Sequence, residues 1–223
     1  MNTVNIAIDG PAGAGKSTIA KMAAAKLGYI YVDTGALYRA VALYIKENSI
    51  SDDKIADALE NADVSLRFID GTQRVYLGGK DVSELIRTPE ISMEASRTSS
   101  LPAVRAYLFD TQQKIARENN VIMDGRDIGT VVLPDAEVKI FLTASVEERA
   151  NRRFKELSEK PDFPSYDEIL KDIMKRDYQD MHRETSPLKQ ADDAILVDTT
   201  LLSLEESAEA ILRIVQEKTG RAE

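Results

Sequence analysis

The sequence has 223 residues, a formal net charge of −9, no cysteine and a single histidine. This length suits one α/β domain with an insertion, or two small lobes, and it can bury a core without disulfides. The composition excludes disulfides, thiolate metal sites and a cysteine nucleophile, and one histidine disfavours a histidine-based triad or a multi-histidine metal site. The acidic balance argues against a nucleic-acid partner, whereas a small phosphorylated ligand needs only a local cluster of cations.

The sequence carries no sign of a membrane partner. No apolar run approaches the roughly 20 residues that cross a bilayer. The chain begins MNTVNIAIDGP, which lacks the basic and apolar regions of a signal peptide. We therefore expect a cytoplasmic protein, and because no exposed pattern demands an oligomer, we expect a monomer.

Alternating strands and helices account for most of the chain. Short apolar runs predict strands at residues 4–8, 29–32, 121–123, 138–142 and 194–197. Longer patterns predict helices at residues 17–27, 36–47, 104–119, 146–158, 166–183 and 204–218. This alternation is typical of a parallel sheet with helices on both faces, whose ligands bind beyond the carboxyl ends of the strands. Four strands run directly into an aspartate: Asp9, Asp33, Asp124 and Asp198.

Two segments interrupt the alternation. Residues 64–82 alternate apolar and polar side chains around Gly71 and the pair Gly78 and Gly79, which predicts a small antiparallel meander. Residues 158–168 (SEKPDFPSYDE) are polar and contain two prolines, so we expect a mobile loop between two helices.

The stretch GPAGAGKST at residues 10–18 matches the phosphate-loop pattern G-x-x-x-x-G-K-[ST]. It follows a predicted strand and opens a predicted helix, which separates it from an ordinary glycine-rich turn. Backbone N–H groups and the helix N-terminus would surround the phosphates of a nucleotide. Lys16 is expected to reach the β and γ phosphates, and Ser17 to ligate Mg²⁺. The predicted ATP-binding residues are Gly10, Pro11, Ala12, Gly13, Ala14, Gly15, Lys16, Ser17 and Thr18.

The segment NVIMDGRD offers a carboxylate for the same metal ion. Asp124 ends an apolar run and is a natural partner of Mg²⁺, through a water molecule. It could instead cap the next turn, and Asp33 and Asp198 stand in similar contexts. We favour Asp124 for the metal.

A phosphate loop alone fits GTPases, motor ATPases and several kinds of kinase. The guanine-reading pattern N-K-x-D is absent from the sequence, and so is an H-R-D catalytic loop. An alcohol acceptor benefits from a base, whereas a phosphate monoester is already largely ionised near neutral pH and needs alignment and charge neutralisation. The sequence therefore favours a phosphate acceptor.

Several arginines have suitable positions for such an acceptor. Arg39 and Arg126 follow strand ends, and Arg126 lies within a glycine-flanked loop that gives a charged residue little structural role. Arg149, Arg152 and Arg153 precede the proline-containing loop and could close over ATP. The alternative for each arginine is a solvated helix face.

A charged stripe follows near the C-terminal end of the predicted helix at residues 166–183. Arg176, Asp180 and Arg183 are spaced i, i+4 and i+7 and share one face. Lys175 and Asp177 point away from that face. The stripe could be mere ion pairing, or it could present two guanidinium groups and a carboxylate to a sugar and a base; spacing alone leaves both readings open.

The segments IDGPAGAGKST, YVDTGALYRA, MDGRDIGTVVLP and RDYQDMHRETSPL, in this order, strongly resemble the bacterial cytidylate kinase family over essentially the whole chain. The resemblance implies transfer of the γ-phosphoryl group of ATP to CMP or dCMP with Mg²⁺. It also implies a P-loop nucleoside-monophosphate-kinase fold: a five-stranded parallel sheet flanked by helices, with a small antiparallel β insertion and a short lid. The expected parts are a core at about 1–60, 100–150 and 184–223, a monophosphate-binding insertion at about 61–99, and a lid with its following helix at about 151–183.

The resemblance also assigns roles to individual residues. Thr34 would lie near the acceptor phosphate, which Arg39 and Arg126 would bind. The residues implied to read cytosine are Ser96, Arg105, Asp127 and Arg183, and those implied to bind the sugar are Arg176 and Asp180. The implied catalytic residues are Lys16, Arg126 and the two lid arginines Arg152 and Arg153. The alternatives are a kinase for UMP, AMP or another acceptor, and a nucleotide-dependent switch without transfer activity.

Overall fold

The computed structural model describes residues 3–69, 71–158 and 163–220. Its strands are β1 (Asn5–Asp9), β2 (Ile30–Asp33), β3 (Val64–Ile69), β4 (Thr72–Leu77), β5 (Lys80–Asp81), β6 (Val121–Gly125), β7 (Val138–Thr143) and β8 (Ile195–Asp198). Its α-helices are α1 (Lys16–Leu27), α2 (Thr34–Glu47), α3 (Ile55–Leu59), α4 (Pro89–Thr98), α5 (Pro102–Glu118), α6 (Val146–Leu157), α7 (Tyr166–His182) and α8 (Leu204–Thr219). Short 3-10 turns lie at Asp52–Lys54 and Leu85–Arg87, and a π-helical turn lies at Ile128–Val132.

The central sheet has five strands in the order β2-β6-β1-β7-β8, all paired in parallel. Its register sets Asp33 opposite Asp124 and Asp9 opposite Gly125. The carboxyl ends of three neighbouring strands therefore meet at one edge, where α1, α2 and the segment after β6 begin. The predicted α/β fold with a five-stranded parallel sheet is confirmed.

Helices cover both faces of this sheet. In β1, Ile6 and Ile8 pack into a core with Ile19 of α1 and Ile211 of α8, whereas Ala7 faces a second core on the other side. A strand that is buried on both faces must be apolar at successive positions, which explains the uninterrupted run in the sequence.

The predicted meander is a three-stranded antiparallel sheet, β3-β4-β5. Val64 and Val75 pack with residues of α2, α4 and α5 in a third core. Gln73 on β4 also ties this sheet to the central one: its Nε2 donates to Asp33 O (3.2 Å), and its Oε1 accepts from Asp33 N (2.9 Å). The insertion is thereby held beside the carboxyl end of β2.

The helices differ from the predictions at several points. Helices α3 and α4 were not predicted, although Thr88 caps α4 by accepting from Ile91 N (3.2 Å) and a proline follows it, a common helix start. The helix predicted at 36–47 begins at Thr34, because the Asp33 side chain caps it. The helix predicted to reach Arg183 ends at His182, because Arg183 turns to an extended conformation.

The loop predicted at 158–168 is shorter, since α7 begins at Tyr166 with a capping box formed by Ser165 and Glu168. Residues 159–162 of that loop lie outside the described residues. None of the helices in the described part of the chain is both long enough and apolar enough to cross a membrane.

Candidate active site

The loop between β1 and α1 has the geometry of an anion site. Gly13 and Gly15 adopt left-handed conformations (φ 78° and 87°) that an L side chain disfavours. Helix α1 begins without a side-chain cap and without an acidic residue in its first turn. Its first N–H groups therefore remain available to a ligand, and the helix dipole favours a negative one.

Gly10 is required for a different reason. A Cβ atom there would lie 1.9 Å from the carbonyl oxygen of Leu142 on β7. The first glycine of the motif thus lets the loop leave the sheet between two strands, and the later glycines shape its curve.

Lys16 is buried, and its Nζ donates to the carbonyl oxygen of Pro11 at 2.8 Å. Burial lowers the pKa of Lys16 to about 7, helped by the charge of Arg126 and opposed by Asp124 and Asp9. Its ammonium group thus lies inside its own loop, next to the space that the loop encloses.

Ser17 and Asp124 are joined directly: Ser17 Oγ donates to Asp124 Oδ2 at 2.9 Å. The other carboxylate oxygen, Oδ1, accepts from the hydroxyl of Tyr31, also at 2.9 Å. Burial and then the charge of Asp33 raise the pKa of Asp124 to about 6, against the opposing charge of Lys16. A hydroxyl and a carboxylate side by side at the phosphate loop suit Mg²⁺, which favours oxygen ligands.

The other strand-end aspartates have different partners. Asp33 caps α2 by accepting from Ala36 N (3.0 Å), and it pairs with Arg39 (2.9 Å). Asp198 is exposed and accepts from Thr200 N (2.9 Å). The described residues contain no group of three or more His, Cys, Asp or Glu side chains that could hold a metal ion by themselves.

Asp9 has a structural task. Its carboxylate accepts from the backbone N–H groups of Ile128 (2.8 Å) and Gly129 (2.7 Å) in the π-helical turn after β6. Burial raises the pKa of Asp9 to about 6, although the two N–H groups act in the opposite direction. The contact holds the segment that carries Arg126 and Asp127 against the phosphate loop.

A first group of predicted acceptor-site residues meets near Asp124. Thr34 Oγ1 donates to Asp124 O at 2.7 Å, and Arg39 Nη2 donates to Asp33 Oδ2 at 2.9 Å. Arg39 Nε is buried and has no hydrogen-bond partner among the described residues. A buried donor without an acceptor fits a ligand oxygen at this point.

Arg126 and Asp180 connect the segment after β6 to α7, with Arg126 Nε donating to Asp180 Oδ2 at 2.8 Å. Arg176 is exposed one helical turn before Asp180 and makes no hydrogen bond or ion pair within the described part of the chain. Desolvation by the surrounding protein and the charge of Arg126 lower the pKa of Arg176, with a further contribution from Arg39. Arg176 therefore lies near enough to Arg126 and Arg39 for their charges to act on it, and Asp180 acts in the opposite direction.

A second group surrounds Asp127. Arg105 Nη2 donates to Asp127 Oδ2 in a buried ion pair, and Arg105 Nη1 donates to Ser99 O at 3.1 Å. Arg183 Nη2 lies 3.6 Å from Asp127 Oδ1 and is a buried donor without a hydrogen bond. Ser96 lies on α4, and its carbonyl accepts from Ser99 Oγ (3.1 Å). Arg105, Asp127 and Arg183 are thus close together, on three separate segments, whereas Ser96 makes no hydrogen bond to them among the described residues.

The predicted lid arginines on α6 differ in position. Arg152 Nη1 donates to Ala14 O (3.3 Å) in the phosphate loop, and its Nη2 donates to Thr199 O (2.7 Å). Arg153 pairs instead with Glu156 (2.8 Å), and its side chain is 46% exposed. Arg152 therefore already lies on the phosphate loop, and the assignment of Arg153 to catalysis stays a prediction.

Arg149, which could close over ATP according to its place beside Arg152 and Arg153 in the sequence, is buried instead. Arg149 Nη1 donates to Ala12 O and to Asp177 Oδ1, both at 3.0 Å. Asp177, noted only as pointing away from the charged stripe, is the buried partner of Arg149. The contact of Tyr31 with Asp124 could not be predicted from an apolar strand. Ser186, whose hydroxyl accepts from Arg105 Nε (3.1 Å), was not predicted either. The one available signal was that Tyr31 lies near a strand end, two residues before Asp33, where the strand-end carboxylates were expected to meet.

The fold resembles that of a solved structure. Over 96% of this chain and 99% of the other, it superposes on an uncharacterized protein from Eubacterium ventriosum with a TM-score of 0.55 and 14% sequence identity. At this identity the likeness concerns the fold alone.

Sequence relatives are far closer. A family model described as cytidylate kinase matches residues 6–217. A cytidylate kinase from Caldicellulosiruptor bescii is 54% identical, with 96% of each chain covered. A cytidylate kinase from Carboxydothermus hydrogenoformans is 52% identical over 96% of this chain and 98% of its own. With these matches and a phosphate loop set beside clustered arginines, the chain belongs to the cytidylate kinase family of phosphotransferases.

Proposed function

We propose that this protein transfers the terminal phosphoryl group of ATP to CMP or dCMP, giving ADP and CDP or dCDP. One observation carries the proposal. The short segment from Asp124 to Asp127 connects three parts of the site. Asp124 contacts Ser17 of the phosphate loop, and Arg126 is one of the arginines near Asp124. Asp127 forms the cluster with Arg105 and Arg183. A site with these three parts side by side can hold a nucleoside triphosphate at one end and a monophosphate at the other.

ATP, the phosphoryl donor, would bind at the phosphate loop. Its N–H groups and the N-terminus of α1 would bind the phosphates, and Lys16 would exchange the carbonyl of Pro11 for a phosphate oxygen. Ser17 and Asp124 would hold Mg²⁺, which neutralises charge on the β and γ phosphates when it is bound.

The acceptor side needs no general base. A phosphate monoester is largely dianionic near neutral pH, so its oxygen is already a nucleophile. Arg39 and Arg126 would bind and align it, and guanidinium groups suit this because they grip phosphate bidentately. Alignment and charge neutralisation then provide most of the rate enhancement.

The base would be read at Asp127. The N4 amine of cytosine donates a hydrogen bond, which a carboxylate accepts, and N3 and O2 accept hydrogen bonds that Arg105, Arg183 and Ser96 can donate. Uracil reverses the pattern at positions 3 and 4, which would leave buried groups unpaired. Arg176 and Asp180 would bind the sugar hydroxyls, and contacts to the 3′ hydroxyl alone would admit both CMP and dCMP.

Water would compete with the acceptor unless the site closes. Arg152 and Arg153 on α6 would converge on the phosphates when both nucleotides are bound. We further propose that the protein is a cytoplasmic monomer with small-molecule partners only.

An assay of ADP release from ATP and Mg²⁺ over CMP, dCMP, UMP, AMP and GMP tests the proposal. The expected result is ADP formation that depends on the acceptor and is fastest with CMP or dCMP. A preference for UMP or AMP would indicate a kinase of a different acceptor, and ATP binding without acceptor-dependent ADP formation would indicate a switch. Either result would contradict the proposal.

A further inference from the structure

The loop that follows α7 contains an unusual backbone conformation. Ser186 has φ 49°, and Ser49 (φ 50°) is the other described non-glycine residue with a positive value. A left-handed conformation is unfavourable for serine, and it persists only where the surrounding structure enforces it. Ser49 is exposed at the end of α2 and its hydroxyl makes no hydrogen bond within the described residues.

Ser186, in contrast, is bonded to two functional arginines. Its hydroxyl oxygen accepts from Arg105 Nε at 3.1 Å, and its carbonyl oxygen accepts from Arg183 Nε at 2.7 Å. These are the two guanidinium groups that flank Asp127. One residue in a strained conformation thus contacts both.

The loop itself is anchored to the helix that bears Asp180. Leu188 is buried, and its N–H donates to the carbonyl of Asp180 at 2.7 Å. Pro187 restricts the backbone between Ser186 and this anchor. Because both sides of Ser186 are fixed, its two oxygens have defined positions relative to Asp127.

We propose that Ser186 is a positioning residue for base selection, an inference that rests on the proposed function. An arginine has five N–H donors, and which of them face a ligand depends on which are occupied by the protein. With its Nε taken by the Ser186 hydroxyl and its Nη atoms by Asp127 and Ser99, Arg105 has a single orientation. The Nε of Arg183 is taken by the Ser186 carbonyl, so its unpaired Nη2 remains directed at the space beside Asp127.

The fixed orientation of the Arg105 guanidinium would favour cytosine over uracil. A guanidinium that keeps its plane presents donors to N3 and O2 of cytosine and no acceptor to the N3–H of uracil. If the plane of Arg105 could turn, the penalty against uracil would fall, because a poorly fixed donor can move away from it. Loss of the Ser186 hydroxyl should therefore act on the choice of base and leave phosphoryl transfer intact.

Two substitutions separate the hydroxyl from the backbone. Ser186→Ala removes the hydroxyl and keeps the strain, whereas Ser186→Gly removes both; each retains the carbonyl that Arg183 needs. Ser49→Ala and Ser49→Gly are matched controls, since Ser49 has the same conformation and no arginine partner. Thermal unfolding of all four variants reports the backbone effect by itself.

The readout is kcat and KM for CMP and for UMP at saturating ATP. We expect both Ser186 variants to lower the CMP:UMP ratio of kcat/KM about tenfold, the scale of one hydrogen bond to a charged group. The change should appear as a lower KM for UMP, with kcat within about twofold of wild type and the KM for ATP unchanged. The Ser49 variants should keep the wild-type ratio.

Two results would overturn the inference while leaving the proposed function in place. One is an unchanged CMP:UMP ratio in both Ser186 variants of an enzyme that prefers CMP. The other is a ratio that falls in Ser186→Ala and is preserved in Ser186→Gly, which would assign the effect to backbone strain. A wild-type enzyme without a preference for CMP would contradict the proposed function, and this inference with it.

Discussion

Arg149 and Asp177 form a buried ion pair, with Arg149 Nη2 2.6 Å from Asp177 Oδ2. Arg149 also donates to Ala12 O in the phosphate loop (3.0 Å) and to Ala144 O at the end of β7 (3.0 Å). Asp177 lies on α7, the helix that carries Arg176 and Asp180. The pair thus links the loop that would hold ATP to the helix that would hold the acceptor.

Breaking this pair should be costly from either side. Arg149→Met and Asp177→Asn should each lower the free energy of unfolding by about 3–5 kcal/mol, because each leaves an uncompensated buried group. The double variant should lose less than the sum of the two, with a coupling of about 0.5–3 kcal/mol. Urea unfolding measures all three. The exposed pair Arg213–Glu209 on α8 is the control, with an expected coupling below about 0.5 kcal/mol; strictly additive effects at Arg149 and Asp177 would contradict the assignment.

Tyr31 should determine how tightly the metal ion is held. Its hydroxyl donates to Asp124, so Tyr31→Phe removes the group that orients the carboxylate. The Mg²⁺ concentration for half-maximal rate should rise about tenfold, the scale of losing such an outer contact, with kcat at saturating metal preserved. Titration of activity with Mg²⁺ and urea unfolding check this. Tyr29→Phe is the matched control, because the buried Tyr29 hydroxyl has no hydrogen-bond partner among the described residues; identical metal dependence of the two variants would exclude the role.

Binding of ATP should be accompanied by proton uptake at Lys16. The pKa of Lys16 is about 7 in the free protein, so at pH 8 the amine is mostly neutral, and bound phosphates would raise that pKa. For each nucleotide bound, the protein should take up about one proton at pH 8 and about half a proton at pH 7. The uptake should vanish well below pH 6, where Lys16 is charged in both states. Calorimetry in buffers of different ionisation enthalpy measures the uptake. Lys16→Arg, which stays charged, should show none; uptake that persists in Lys16→Arg would place the proton elsewhere.

Asp127→Ala should reduce the preference for CMP over UMP as well as the rate. The carboxylate is the acceptor for the N4 amine, and its removal also leaves Arg105 and Arg183 without their shared partner. The ratio of kcat/KM for CMP and UMP is the measurement, with urea unfolding to confirm that the variant is folded. An unchanged ratio in a folded variant would remove Asp127 from base recognition.

Arg153→Ala should lower kcat by about a hundredfold or more with little change in CMP affinity, since a lid arginine acts in the transition state. Its exposed pair with Glu156 contributes little to stability, so the free energy of unfolding should not change. Arg152→Ala should also weaken ATP binding, because Arg152 contacts the phosphate loop directly. Steady-state kinetics and ATP titration separate the two; a near-wild-type kcat for Arg153→Ala would move the lid role to Arg152.

The sheet and the phosphate loop could be predicted because their signals are local. Apolar runs that end in aspartates and a nine-residue motif contain their own geometry, and Asp124 met Ser17 as the parallel order requires. Contacts between distant segments gave no such signal. Arg149 and Asp177 are 28 positions apart, and Arg105 and Ser186 are 81 apart, so only the packing of α5, α6 and α7 brings them together. For Ser186 the decisive property is the contact of its hydroxyl and carbonyl oxygens with Arg105 and Arg183, which the local sequence does not indicate.

In the free protein, three arginines of the cleft are already paired with its own carboxylates: Arg39 with Asp33, Arg126 with Asp180, and Arg105 with Asp127. At Arg39 and Arg126, an acceptor phosphate would take the place of a carboxylate of the protein, whereas the Arg105–Asp127 pair would remain. A simple anion would have to displace these carboxylates one at a time, whereas a nucleotide monophosphate offers a phosphate, a sugar and a base together. A chain with a net charge of −9 thereby keeps an arginine-rich site without presenting a bare cationic surface to other polyanions.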